Sequence, residues 1–182
     1  MAVTSDARVL DPAGGHAGFL GSIGVRFMVD GPTTGERFSL VEHPMSAHAL
    51  AAPLHRHTRE DEYSYVIEGR MGALLGDAVL EAGPGDLVFK PRNEWHTFWN
   101  AGAAPCRILE IIAPAGFERF FEELVDMGGA ADADPSLLGA LCERYVSPRP
   151  VRLYVHKPFE SPAGTSQKRK LMLKPTAAPL LP

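Results

Sequence analysis

The residues best suited to chemistry lie together in Pro53-Leu54-His55-Arg56-His57-Thr58-Arg59-Glu60-Asp61-Glu62. His55 and His57 are two apart, and in a strand such residues point to one face, ~6.6 Å apart along the chain. Two imidazoles so placed can share one metal ion. Thr58 to Asp61 is polar enough for a turn, after which Glu62 opens the next strand and brings a carboxylate toward the same point. Three ligands from neighbouring strands leave positions on a metal open, which separates a catalytic centre from a closed structural one. His96 follows downstream in Pro91-Arg92-Asn93-Glu94-Trp95-His96-Thr97-Phe98-Trp99-Asn100. Pro91 and Asn93 suit a tight turn feeding a strand that starts near His96. Only tertiary structure can bring His96 to the other two, and two exposed histidines are the plainer reading of an isolated His-x-His.

The elements that must position these groups are short strands. Ile23 to Val29, Phe38 to Glu42, Tyr63 to Glu68, Met71 to Leu75, Ala78 to Glu81, Asp86 to Lys90, Thr97 to Asn100 and Arg107 to Ile112 read as strands separated by Gly, Pro and Asn signals. Strands at this density mean a sandwich or small barrel. The period then changes: Phe117, Phe120, Phe121 and Leu124 form one helical stripe, ended by Gly128-Gly129. Asp134-Pro135 resembles a cap plus first-turn proline, so a second helix runs from Pro135 to about Tyr145. The chain divides into an extended lead-in over 1–20, a barrel over 21–115, a helical segment over 116–146 and a basic, Pro-rich tail over 147–182, with one strand suggested at 151–155.

Composition narrows the class. The 182 residues make one domain with an appendage, long enough to bury ~70% of the surface of the unfolded chain without disulfides. Gly 18 and Pro 16 argue against a helix bundle. Cys106 and Cys142 fit no disulfide framework and no zinc pattern. No apolar run approaches the ~18 residues a membrane helix takes, and Met1 to Pro12 is no signal peptide, so a cytoplasmic protein without a membrane partner is expected. Net charge is −4, with the basic residues concentrated toward the C-terminal end. An acidic body argues against nucleic acid as the main partner.

His55-x-His57-x4-Glu62-x6-Gly69 resembles the first motif of the cupin superfamily, and Gly85-x5-Pro91-x-Asn93-x2-His96-x3-Asn100 resembles the second. The short spacer, Arg70 to Pro84, is similar to that of the microbial cupins. Ala49 and Asn93 stand where the family has glycine. Pro114-Ala115-Gly116-Phe117 and the residues after it resemble the barrel-to-helix junction of single-domain, quercetin-dioxygenase-like cupins. The resemblance implies a mainly β cupin jelly roll, a small antiparallel β-barrel, followed by a short helix pair. It implies one divalent transition metal per chain (Fe, Mn, Ni, Cu or Zn) held by His55, His57, Glu62 and His96.

Three functions follow. The first is a dioxygenase acting on a small enolic or phenolic, flavonol-like substrate, with Glu62 both ligand and catalytic base. The second is a non-oxidative isomerase, decarboxylase or lyase using the metal as a Lewis acid. The third is a metal- or ligand-binding cupin without catalysis. Aromatic lining favours the first, and an inward Arg or Lys favours the second. Phe38, Met45, Phe89 and Phe98 either line the cavity or fill core. Glu110 points into the barrel or outward. His43 and His48 belong in a loop. Tyr63, Tyr65 and Ile67 alternate against Glu62, Ser64 and Val66, face away from the cavity, and make a homodimer the expected assembly.

Overall fold

The computed structural model describes residues 9–145 and 147–148. The strand suggested at 151–155 and the rest of the basic tail lie outside the described residues. In chain order the elements are β1 (His16–Phe19), β2 (Gly24–Val29), α1 (Gly31–Thr34), β3 (Ser39–Met45), β4 (His55–Arg56), β5 (Asp61–Glu68), β6 (Met71–Leu75), β7 (Ala78–Ala82), β8 (Leu87–Lys90), β9 (His96–Asn100), β10 (Cys106–Ala113), α2 (Glu118–Asp126), α3 (Pro135–Tyr145) and β11 (Ser147–Pro148). They form two antiparallel sheets, one ordered β1-β2-β3-β10-β5-β8 and the other β11-β4-β9-β6-β7. This is the jelly-roll arrangement expected, with the two helices after it.

Alternation builds the interior. Along β10, Cys106, Ile108, Glu110 and Ile112 are buried while their neighbours are partly exposed. Along β5 the buried set is Glu62, Ser64 and Val66, and along β9 it is His96, Phe98 and Asn100. Apolar members of these rows join Val25, Val41, Met45 and Met71 in one core. Each such side chain contributes roughly 1.5–3 kcal/mol by leaving water.

Strand parity also corrects a sequence expectation. On β8, Phe89 is 46% exposed and stacks on Tyr63 with ring centroids 4.8 Å apart, so it does not line the cavity. Its neighbours Val88 and Lys90 point inward instead. His43 likewise departs from its loop assignment. It lies on β3, is 1% exposed, and meets Phe121 edge-on at 5.1 Å. His48 is in a turn.

The helices pack on the barrel through Phe117, Phe121, Leu124 and Leu141, all buried. The buried Glu118 carboxylate accepts from the Gly31 and Gly116 amides at 2.9 and 2.6 Å, tying α2 to the start of α1 and to the end of the barrel. At the turn that carries the chain from β5 in one sheet to β6 in the other, Gly69 has φ 79°, and a Cβ there would run into the Pro105 and Cys106 backbone, so glycine is needed. Cys106 and Cys142 are free thiols. Among the described residues, no helix is long and apolar enough to cross a membrane.

Candidate metal centre

β4 and the residue after it carry His55 and His57, β5 carries Glu62, and β9 carries His96. His55 and His96 are direct partners in the β4–β9 pairing. The imidazole centroids are 4.9 Å apart for His55–His57, 4.4 Å for His55–His96 and 5.4 Å for His57–His96. One ligand atom from each of the four residues lies within 4.8 Å of all the others, and all four residues are buried. Tertiary structure thus brings His96 to the His-x-His pair.

Backbone contacts orient the ligands. His55 Nδ1 lies 2.8 Å from the Pro53 carbonyl oxygen and His96 Nδ1 lies 3.0 Å from that of Glu94. A carbonyl only accepts, so in each ring Nδ1 donates the proton and Nε2 keeps its lone pair for a metal. The Asn93 amide donates to the His57 carbonyl at 2.7 Å, joining the two motifs. Asn93 does so with φ 67°, a left-handed backbone that asparagine tolerates better than most residues. That explains why it can stand in the glycine position.

The donors fit a metal ion. Nε2 of His57 and of His96 and Oε2 of Glu62 are buried without a hydrogen bond. His57 Nε2 is 3.5 Å from Glu62 Oε1, and His96 Nε2 is 3.2 Å from Glu62 Oε2. Buried nitrogens without a donor are costly, and one cation between the two imidazole nitrogens and the Glu62 carboxylate, whose Oε2 also meets the Lys90 ammonium at 3.0 Å, would satisfy them. Three imidazole nitrogens and one carboxylate oxygen suit first-row transition ions such as iron, manganese, nickel, copper or zinc.

Electrostatics keep these donors in ligand form. Burial, assisted by the neighbouring His96, pushes the His55 imidazole down to about 3. Burial also lowers His57, against the pull of Glu62. For Glu62, burial acts to raise the pKa, but Lys90, His57 and His96 outweigh it and hold the carboxyl well below its ordinary value. His55 and His57 are therefore neutral and the Glu62 carboxylate charged at neutral pH.

Behind the ligands runs a polar chain. Lys90 Nζ is 3.0 Å from Glu62 Oε2 and 3.0 Å from Glu110 Oε1, and Ser64 Oγ donates to Glu110 Oε2 at 2.7 Å. Glu110 thus points inward. Burial pushes its carboxyl up to about 7, against the opposing Lys90 charge. Burial acts to lower Lys90, yet Glu110 and Glu62 prevail and raise it, so it is cationic. Rings flank the centre: Phe117 lies 4.2 Å from the His57 ring, and the Lys90 ammonium lies 4.4 Å from the centroid of Phe98. Met45 is buried in the core. Arg56 stacks over Trp95 at 4.9 Å, and Arg92 pairs with Asp61 at the surface at 2.7 Å.

Lys90 and Ser64 are the inward polar residues that sequence reasoning did not single out as site groups. Ser64 shares parity with Glu62, so its inward aspect was legible. Lys90 was hidden by the assumption that Phe89, the apolar member of the strand, faces in.

Residues 44–112 match the cupin domain family. The fold is similar to that of a sugar phosphate isomerase of the cupin superfamily from Silicibacter pomeroyi, with TM-score 0.52 and 19% identity over 58% of this chain and 75% of that one. KdgF from Halomonas sp. has TM-score 0.48 and 17% identity over 54% of this chain and 84% of its own. The polyketide cyclase RemF from Streptomyces resistomycificus has TM-score 0.45 and 36% identity over 51% of this chain and 66% of its own. No curated protein matches the sequence.

Proposed function

Residues 44–112 of this chain form a cupin domain, and on that premise we propose that the protein is a metal-dependent enzyme of the dioxygenase type, acting on a small enolic or phenolic substrate. His55, His57, Glu62 and His96 would hold one divalent transition metal. The carrying observation is Glu62, a buried, charged carboxylate with one oxygen shared between His96 and Lys90 and aromatic rings beside it. When bound, the metal supplies Lewis acidity that eases ionisation of a hydroxyl placed on it. Glu62 Oε2 takes the proton of that hydroxyl and acts as the general base. Phe98 and Phe117, buried beside Lys90 and His57, make the surroundings of the site apolar and keep water from it. The three imidazoles hold their places by the Nδ1 contacts to backbone carbonyls where these exist, at His55 and His96.

The test is oxygen uptake by metal-loaded protein on a panel of flavonols and other enolisable diketones. Uptake that needs the metal and stops in Glu62→Gln is expected. A second reading, non-oxidative isomerisation, decarboxylation or lysis of a small acid, is favoured by the inward Lys90, a cation that a carboxylate substrate would seek. Turnover of such an acid with no oxygen consumed would decide for it. That Lys90 is already engaged by two carboxylates favours the first reading.

The free thiols Cys106 and Cys142 support assignment to the reducing cytoplasm. The outer face of β5 and β8 exposes Tyr65, Ile67, Leu87 and Phe89, with Tyr65 opposite Leu87 in register, and this apolar patch supports a homodimer.

A further inference from the structure

Lys90 sits opposite Glu62 in the β5–β8 register and is 1% exposed. A buried ammonium is tolerated only when anions compensate it, and here two carboxylates do so at 3.0 Å each. The oxygen of Glu62 that meets Lys90 is Oε2, the same atom that lies 3.2 Å from His96 Nε2. The group that points into the ligand cluster is therefore also the group that anchors the lysine. A metal among the imidazoles and the ammonium of Lys90 draw on one lone-pair set. Glu110 stands on the far side of the ammonium, steadied by the Ser64 hydroxyl at 2.7 Å, and compensates part of its charge.

We propose that Lys90 is a positioning residue that competes with the metal for Glu62 Oε2, holding this carboxylate at the margin of coordination so that it can leave the metal and accept a substrate proton. This rests on the metal-centre reading above. It supplies what a liganding base requires. A carboxylate bound firmly to a cation is a weak base, and its release is easier when a second cation receives the freed oxygen. Glu110 sets how strongly the ammonium pulls.

The test titrates chelator-stripped protein with Co(II) in competition with a chromophoric chelator. Lys90→Met should bind Co(II) more tightly than wild type, by about ten- to a thousandfold, the range in which one neighbouring charge moves such an equilibrium. Glu110→Gln, which leaves Glu62 alone to compensate the ammonium, should bind more weakly. The double variant Lys90→Met, Glu110→Gln should behave as Lys90→Met does, since Glu110 acts through the lysine. A merely structural role for Lys90 would weaken binding in every variant. In a Glu62→Gln background the gain from Lys90→Met should shrink, because the competition is gone. Equal or weaker binding in a folded Lys90→Met protein overturns the proposal, as does a gain undiminished in the Glu62→Gln background. If Lys90→Met does not fold, Lys90→Gln carries the same comparison, and unchanged affinity in Glu110→Gln is itself a refutation. Failure of the wild type to bind Co(II) at all sinks the metal reading instead, and the inference with it.

Discussion

The two ends of the barrel interior are made by the same strands and differ in what they bury. β5 passes from Glu62 through Ser64 to Val66, and β10 runs beside it with Glu110 opposite Ser64 and Ile108 opposite Val66. At the far end Val66, Ile108, Cys106, Met45 and Met71 belong to one apolar cluster. The polar group there, Asn100, is fully employed: its amide donates to the Ser46 and Ala104 carbonyls at 2.9 and 2.8 Å, and its oxygen accepts from the Gly102 amide at 2.8 Å. At the cluster of histidines, by contrast, His57 Nδ1, His57 Nε2 and His96 Nε2 are buried with no hydrogen bond. Alternation decides only which side chains face in. Whether their polar atoms are satisfied separates the end that holds the fold together from the end whose four clustered side chains could hold a metal ion.

The largest effect should come from the metal end. His55→Ala, His57→Ala should reduce bound transition metal from about one per chain to near none by mass spectrometry, with the circular dichroism of the barrel kept. Full occupancy in that variant would dissolve the distinction between the two ends. Next, Glu62→Gln should lower the turnover number by ~10²–10⁴ while metal content survives on three imidazoles. Retained turnover in the metallated variant would remove Glu62 as the base.

At the far end the converse is expected. Ile108→Ala should cost about 2–5 kcal/mol of unfolding free energy in urea while Co(II) affinity is unchanged. A parallel loss of affinity would mean the ends are coupled.

A smaller effect is the pH dependence of stability in metal-free protein. Burial holds His43 at about 4 and His55 at about 3, against an ordinary 6.5. Below pH 6.5 the unfolded chain takes protons on both and the folded chain does not, so acid destabilises the fold. Glu110 acts oppositely. Folded it protonates near 7, unfolded near 4.5, so falling pH stabilises through that window. Glu110→Gln should therefore lose stability more steeply between pH 7 and 4.5 than wild type, and superimposable melting curves would contradict this.

The smallest energetic change concerns the outer face of β8. Light scattering at micromolar concentration should give the mass of a dimer, and Leu87→Glu should give a monomer with an almost unchanged melting temperature. A monomeric wild type would refute the assembly.

The clustering of His55, His57 and Glu62 was legible in the sequence because two regularities coincide there. His55 and His57 share a strand face by spacing, and Glu62 opens the following strand, which the polar turn before it marks. His96 needed the family resemblance, since the β4–β9 pairing that sets it beside His55 is a long-range event with no local signature. Lys90 was not legible because a strand has two possible parities. An apolar-inward rule selects Phe89, and only the Glu62–Lys90 register reverses it. His43 escaped for a related reason: next to a proline and a charged residue it reads as loop, although β3 runs through it. The strand expected over Arg107 to Ile112 runs one residue further at each end, as β10, and its place between β3 and β5 was not legible.

That place governs how the protein is made. β3 and β5 both pair with β10, which is the later of the three to be synthesised. While the ribosome adds the stretch from Glu68 to Ala113, each earlier strand has an open hydrogen-bonding edge, an interval of roughly two to nine seconds at ~5–20 residues per second. During it Val41, Met45 and Val66 lack their final cover. A nascent chain stalled in this window would present two sticky strand edges to its neighbours on the same messenger. The centre of the sheet is thus the last part of it to close.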